Sequence, residues 1–228
     1  MAVTPFDSAL YRDLLTDAEI APLFTDSAEI RAMLLVLGTL AREQGQLGVI
    51  PETSGAFLHR AAMEVQVDPA GLAADTARDG SPVPALIAAF AKVLEAPEHA
   101  SCLQHGATDE DIARTALALR LRQALAILET RLTGAFRNRL QVLRPRVQAV
   151  SLSDDRTRAA LARALHLSPA GGGAEDRQRL ARLLAEIVAS RPGPLGAFAA
   201  GLTGPSGGPL QDALCLGPLT MCAARAAQ

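Results

Sequence analysis

The sequence predicts an all-α protein, and three observations lead there. The apolar content is 49% but the aromatic content only 3%, with no Trp and the single Tyr11, so the apolar mass is carried by Ala and Leu, both strong helix formers. Segments open on Asp, Ser, Thr or Pro and close on Gly or Pro, the punctuation of helices. Apolar residues between those marks recur at spacings of three and four.

The elements follow in order. Asp7-Ser8 opens a short apolar turn through Leu10, Leu14 and Leu15, and Thr16-Asp17 opens another that ends near Phe24. Asp26 with Glu29 three residues on has the capping-box arrangement. The helix it starts carries Ile30, Leu34, Leu37 and Ala41 and ends at Gly45–Gly48. Pro51 fits the first turn of a helix through Phe57, Leu58, Ala61 and Ala62. Asp68-Pro69 pairs an N-cap with Pro at N1 and starts a helix ending near Gly80. A turn over Asp79–Pro82 leads to a helix from Pro84 to Glu95, stopped by Ala96-Pro97.

Thr108 is a natural N-cap, followed by Asp109, Glu110 and Asp111 in the first turn, where the helix dipole favours negative charge. Leu117, Leu121, Leu125, Leu128, Leu132, Phe136 and Leu140 then form one apolar stripe, and only Gly134 interrupts the run before Pro145. The spacing predicts one helix of about 35 residues, long enough to belong to a bundle. Ser153-Asp154 starts a shorter helix through Leu161 and Leu165, Pro169–Gly173 is a linker, and Glu175–Ala189 is a second short amphipathic helix. From Pro192 on, 12 of 37 residues are Gly or Pro, so this tail is expected to be loosely ordered. The chain thus divides into an N-terminal helical region over 1–107, a long helix with two shorter ones over 108–191, and a Gly/Pro-rich tail over 192–228.

Charge is uneven along the chain. Residues 1–111 hold 6 basic and 17 acidic side chains, a net of −11, whereas residues 112–191 hold 15 Arg against 6 acids, a net of +9. Oppositely charged helical faces account for this. The sharper alternative is a polyanion surface built on Arg120, Arg131, Arg137, Arg139, Arg144 and Arg146. It lacks interleaved aromatics for base stacking, and the overall charge of −2 adds no argument, so no nucleic-acid partner is expected. Cys102, Cys215 and Cys222 have no zinc-ligand spacing, and His59, His99, His105 and His166 are scattered, so no metal is expected. No segment reads as a signal peptide or a membrane span, and the expectation is a reduced, cytoplasmic chain without a membrane partner.

One stretch carries a likeness. Leu103 to Leu121 holds the frame G-A-T-x-x-D-I at Gly106, Ala107, Thr108, Asp111 and Ile112, followed by the apolar helix. It resembles the H-x-G-A-T-S-x-D-I segment of the fumarase/aspartase superfamily, and within it the 3-carboxy-cis,cis-muconate cycloisomerase family. The resemblance implies the superfamily's helical-bundle fold, homotetramers with sites shared between subunits, and no organic cofactor. It also implies substrate-binding positions at Gln104, Thr108 and Asp109. Two of the three are altered: Gln104 stands where the family has His, and Asp109 where it has Ser. Gln104 cannot transfer a proton at neutral pH, and Asp109 would repel a carboxylate. His105, one place on, is the one candidate for a catalytic role, reachable by a one-residue loop shift.

The family's general acid/base is a Ser in a mobile loop, G-S-S-x-M-P-x-K-x-N-P. The only Lys is Lys92 and the only Asn is Asn138, both within expected helices, so that motif is not among these 228 residues. Leu143–Leu152, LRPRVQAVSL, resembles a later family segment placed soon after the long helix. Three readings follow. The first is a truncated relative with weak or no activity. The second is an active cycloisomerase or lyase completed by partner subunits. The third is a non-catalytic oligomerisation or regulatory module. The expected partner is a second copy, or a full-length family member, engaged through the long helix.

Overall fold

A computed structural model describes residue 6 and residues 8–190 and 209–227. The expectations for Asp7 and for residues 192–208 lie outside the described residues. Eleven α-helices are present among the described residues, with no strand and one isolated parallel bridge between Ala149 and Ser168. The chain forms two compact units, each discontinuous in sequence.

One unit comprises residues 26–119 and 148–170. Its helices are α2 (Asp26–Gln46), α3 (Glu52–Glu64), α4 (Pro69–Asp79), α5 (Val83–Leu94), the short α6 (Pro97–Ala100), the start of α7 (Asp109–Arg131) and α9 (Asp155–Leu165). The predicted caps are made: Asp68 accepts from the Ala70 N–H and Asp154 from the Thr157 N–H. Gly80 ends α4 at φ +71°, the left-handed conformation that costs Gly little. The α2–α3 pair is a close crossing. A Cβ on Gly38 would lie 2.6 Å from Ala62 Cβ, and one on Gly55 would lie 2.5 Å from the Ala41 carbonyl oxygen. Met33, Leu34, Leu37, Leu40, Leu58, Leu86, Phe90 and Ile112 form its core, each at most 1% exposed.

The other unit comprises residues 1–25, 120–147 and 171–228. It holds α1 (Arg12–Leu15), a 3₁₀ turn (Ala21–Phe24), the rest of α7, α8 (Gly134–Val147), α10 (Ala174–Ala189) and α11 (Pro209–Ala226). α10 packs on both α8 and α11, and α1 on α11. The Asp17 carboxylate is fully buried, yet Arg131 Nη1 donates to it at 2.6 Å and the Ile20 N–H at 3.1 Å. Burial pushes its pKa up, but the Arg131 and backbone hydrogen bonds outweigh that and hold it below the usual value.

Two expectations are corrected. The 35-residue helix is broken at Leu132–Thr133, and Gly134 opens α8 at φ +58°. The break reverses the chain, because Gln141 and Arg144 on α8 both bond Glu129 on α7. Pro145 lies inside α8 and not beyond it. Its missing N–H falls in the last turn, where the helix stops two residues later. The tail is also more ordered than its Gly and Pro content suggests over 209–226. There Leu216, Leu219, Cys222 and Ala223 are buried, and a Cβ on Gly217 would lie 2.9 Å from the Phe24 ring. Tertiary burial outweighs poor local propensity in that helix.

Candidate active site

The turn over residues 101–108 delivers the chain to the N-terminus of α7. Its shape is set by two left-handed residues, Gln104 at φ +57° and Gly106 at φ +66°, and by an Ala107 N–H to Gln104 carbonyl bond of 3.1 Å. Gln44, buried in α2, donates through Nε2 to the His105 carbonyl at 2.7 Å. His99 Nδ1 lies 2.9 Å from the buried Ser54 hydroxyl, and the His99 ring rests on Phe57 with centroids 4.5 Å apart. The α2–α3 pair therefore holds the turn at both ends. The glutamine and serine that do so carry no motif in sequence and were missed there.

Thr108 closes a reciprocal cap. The Asp111 N–H donates to Thr108 Oγ1 at 3.1 Å, while the Thr108 N–H and hydroxyl donate to Asp111 Oδ2 at 3.0 and 2.8 Å. The second Asp111 oxygen accepts from the Ser151 hydroxyl at 2.8 Å, and the Ser151 N–H donates to Thr115 Oγ1 at 3.1 Å. Gln104 Nε2 donates to Asp109 Oδ1 at 2.7 Å. Glu110 pairs with Arg114 one turn on.

The three expected substrate positions, Gln104, Thr108 and Asp109, are thus gathered at one helix start, where Gln104 bonds Asp109 and Thr108 bonds Asp111. The Thr108 hydroxyl and the Gln104 amide are both donating to carboxylates of the same helix start. His105 is exposed, and no hydrogen bond joins its ring to these three residues; the contact it makes is through its carbonyl. Ser151, from the LRPRVQAVSL stretch, is the functional neighbour that spacing alone could not place, since it is 40 residues from Asp111.

Elsewhere the titratable groups are structural. Burial first, and then the charge on Arg42, hold the His59 pKa below its ordinary value, and Arg42 Nη1 lies 3.3 Å from His59 Nε2. Among the described residues no group of His, Cys, Asp and Glu has the arrangement of a metal site. The arginines of the expected basic face are largely committed. Arg131 holds Asp17 and Glu19, Arg139 holds Glu186, Arg144 holds Glu129, and Arg146 lies 2.9 Å from Asp176. Arg120 is 5% exposed, with its guanidinium 5.8 Å above the Phe24 ring. These arginines are thus tied to acids of the same unit, but only Asp17 and Glu19 lie outside residues 112–191, so most of the net positive charge of that run remains.

No protein-family model matches the chain. Sequence comparison does find relatives. The chain is 33% identical over 137 residues to 3-carboxy-cis,cis-muconate cycloisomerase of Acinetobacter baylyi, a match covering 58% of this chain and 30% of that protein. It is 30% identical over 120 residues to nitrosuccinate lyase of Streptomyces davaonensis, covering 52% of this chain and 25% of the relative. The fold matches the crystal structure of 3-carboxy-cis,cis-muconate lactonizing enzyme from Pseudomonas putida with a TM-score of 0.80, over 96% of this chain and 75% of that one, at 19% identity. The chain is thus similar in sequence, over about half its length, to a cycloisomerase and a lyase, and it has the fold of the lactonizing enzyme. Its sequence match to the curated relatives covers less than a third of their length. The fold likeness reaches well beyond the matched half of the sequence, into the segments after α7. No described helix is long and apolar enough to cross a membrane.

Proposed function

We propose that this chain is a superfamily member that does not turn over 3-carboxymuconate, its former substrate-binding helix start now serving as a structural cap. One observation carries the reading: the Thr108 hydroxyl and the Gln104 amide donate to Asp111 and Asp109 of the same helix start. Transition states that place extra negative charge on a carboxylate need donors left free for it. Here a polycarboxylate would meet Asp109, Glu110 and Asp111 instead, a like-charge encounter costing on the order of several kcal/mol when partly desolvated.

The second reading is a lyase completed by other subunits. It draws on the names of the relatives, which are cycloisomerases and lyases, and not on a site within this chain. In either case the partner is a second copy or a full-length family member. With the expected long helix folded back on itself, that partner would meet α7 or α8 as separate faces.

The test is a direct assay of the purified protein with 3-carboxymuconate, following loss of diene absorbance, alone and after mixing with a full-length cycloisomerase. No turnover alone, and none beyond that of the full-length enzyme in the mixture, is expected. Turnover that survives repurification and disappears in Thr108→Ala would sink the proposal.

A further inference from the structure

We infer that the α7–α8 turn is a swap hinge, through which two copies of this chain exchange everything C-terminal to Gly134. This inference stands apart from the catalytic reading above.

The geometry of the turn is the first argument. Glu129 accepts from Gln141 Nε2 at 2.8 Å and from Arg144, 12 and 15 residues further along. In one straight helix those residues would lie about 18 and 22 Å from Glu129 along the axis. The chain therefore doubles back, and it does so with only Leu132 and Thr133 outside helix. Two residues is the short limit for a connection between neighbouring helices. The reversal depends on Gly134 at φ +58°, and a Cβ there would meet nothing within 4 Å. The space a side chain at 134 would enter is open, so the left-handed conformation and not crowding selects glycine there.

The sequence is the second argument. Leu121, Leu125, Leu128, Leu132, Phe136 and Leu140 keep helical spacing straight through the turn, and no Pro lies between Asp109 and Arg144. The same residues that fold back here are written as one continuous helix. A short hinge between elements whose local preference is to continue is the situation in which identical chains exchange.

The occupant follows from the contacts. When the hinge opens, Glu129 loses Gln141 and Arg144, Arg131 loses the Ala224 carbonyl, the Leu15 carbonyl loses the Cys222 thiol, Asp111 and Thr115 lose Ser151, and α2 loses α9. Only a second copy supplies all of those groups in the same arrangement. The Asp17–Arg131 and Arg139–Glu186 pairs each lie wholly on one side of the hinge and travel intact. The exchanged dimer thus keeps the contacts of the monomer and changes one backbone conformation per chain.

The experiment has two arms, both on the full chain. The first measures mass in solution, across concentration, for the wild type, for Gly134→Ala, and for a variant with a short Gly-Ser insertion after Thr133. Alanine is penalised in the left-handed turn and favoured in a straight helix, so it should move the open-to-closed ratio roughly 30- to 100-fold per hinge towards dimer. The insertion relaxes the turn and should return the protein to monomer. The second arm refolds Glu129→Cys chains together with Gln141→Cys chains, with Cys102, Cys215 and Cys222 changed to Ala. An exchanged dimer gives a disulfide between the two chain types and a species of twice the mass on non-reducing gels. Monomer in the wild type and in Gly134→Ala with no cross-chain disulfide overturns the inference, and so does a dimer that persists in the insertion variant without one. Should Gly134→Ala fail to fold, the mixed-cysteine arm decides by itself.

Discussion

Removing the Thr108 hydroxyl separates a cap from a substrate site, because the two roles predict opposite readouts. In Thr108→Ala the Asp111 N–H loses its acceptor at 3.1 Å and Asp111 Oδ2 loses one of its two Thr108 donors. The Thr108 N–H still reaches Asp111, and Ser151 still holds the other carboxylate oxygen, so the loss is partial. Thr108 is exposed, so water replaces part of what is lost. The cost is that of an ordinary N-cap with one extra hydrogen bond, about 1–2 kcal/mol. For a chain of this size that corresponds to a drop of roughly 3–6 °C in melting midpoint. Thr108→Ser keeps the oxygen and should stay within about 0.5 kcal/mol of the parent. The assay is thermal unfolding followed by far-UV circular dichroism, repeated in urea. An unchanged midpoint in Thr108→Ala would refute the cap, since nothing else in the turn takes over the Asp111 N–H.

Three further outcomes are expected. Asp17→Asn should destabilise by about 2–3 kcal/mol at neutral pH, because it removes the buried partner of Arg131 and leaves only the exposed Glu19 to pair it. The Asp17 carboxyl has a lower pKa folded than unfolded, so its contribution is full above the unfolded value and fades as pH falls through the folded one. The gap between parent and variant, measured as melting midpoint against pH, should therefore close on acidification, and a gap independent of pH would contradict the pairing. Gly38→Ala should cost about 1–3 kcal/mol by forcing the α2–α3 crossing apart, and Ala62→Gly in the same chain should restore most of it; urea midpoints without that rescue would argue against the contact. Burial raises the Cys222 thiol pKa to about 11, so mass spectrometry after alkylation at mildly alkaline pH should find Cys222 unmodified in the native protein and modified in denaturant, whereas rapid native labelling would show the helix open.

The fold was legible where a local rule and the tertiary structure agree. Asp68-Pro69, Gly80 and Asp154 mark helix ends because their side chains or backbone freedom satisfy groups within a few residues. The α7–α8 reversal was not legible, since the apolar stripe runs through it with unbroken spacing and Gly134 is a break that many helices tolerate. The helix at Pro209–Ala226 was hidden for the opposite reason. Its Gly217 and Pro218 read as breakers, yet the apolar residues around them are buried, and Gly217 is accommodated by the Phe24 ring. In the candidate site, Gln104, Thr108 and Asp109 could be found from spacing. That Gln104 donates to Asp109, and that Ser151 and Gln44 hold the turn, could not.

By itself the sequence determined the helical class, most of the helix starts and the superfamily resemblance, because composition, capping and a motif are properties of neighbouring residues. It also determined which groups the helix start offers, since a carboxylate at 109 is a carboxylate in any fold. Only the tertiary structure decided what the remaining groups do. Thr108 and Gln104 could have faced a ligand, and they donate instead to Asp111 and Asp109 of the same helix start. Which arginines of the positive run are tied down was equally open, and Asp17, Glu129, Asp176 and Glu186 hold four of them from positions as far as 114 residues away. Those outcomes depend on which distant side chains meet, and the periodicity of a chain carries no record of that.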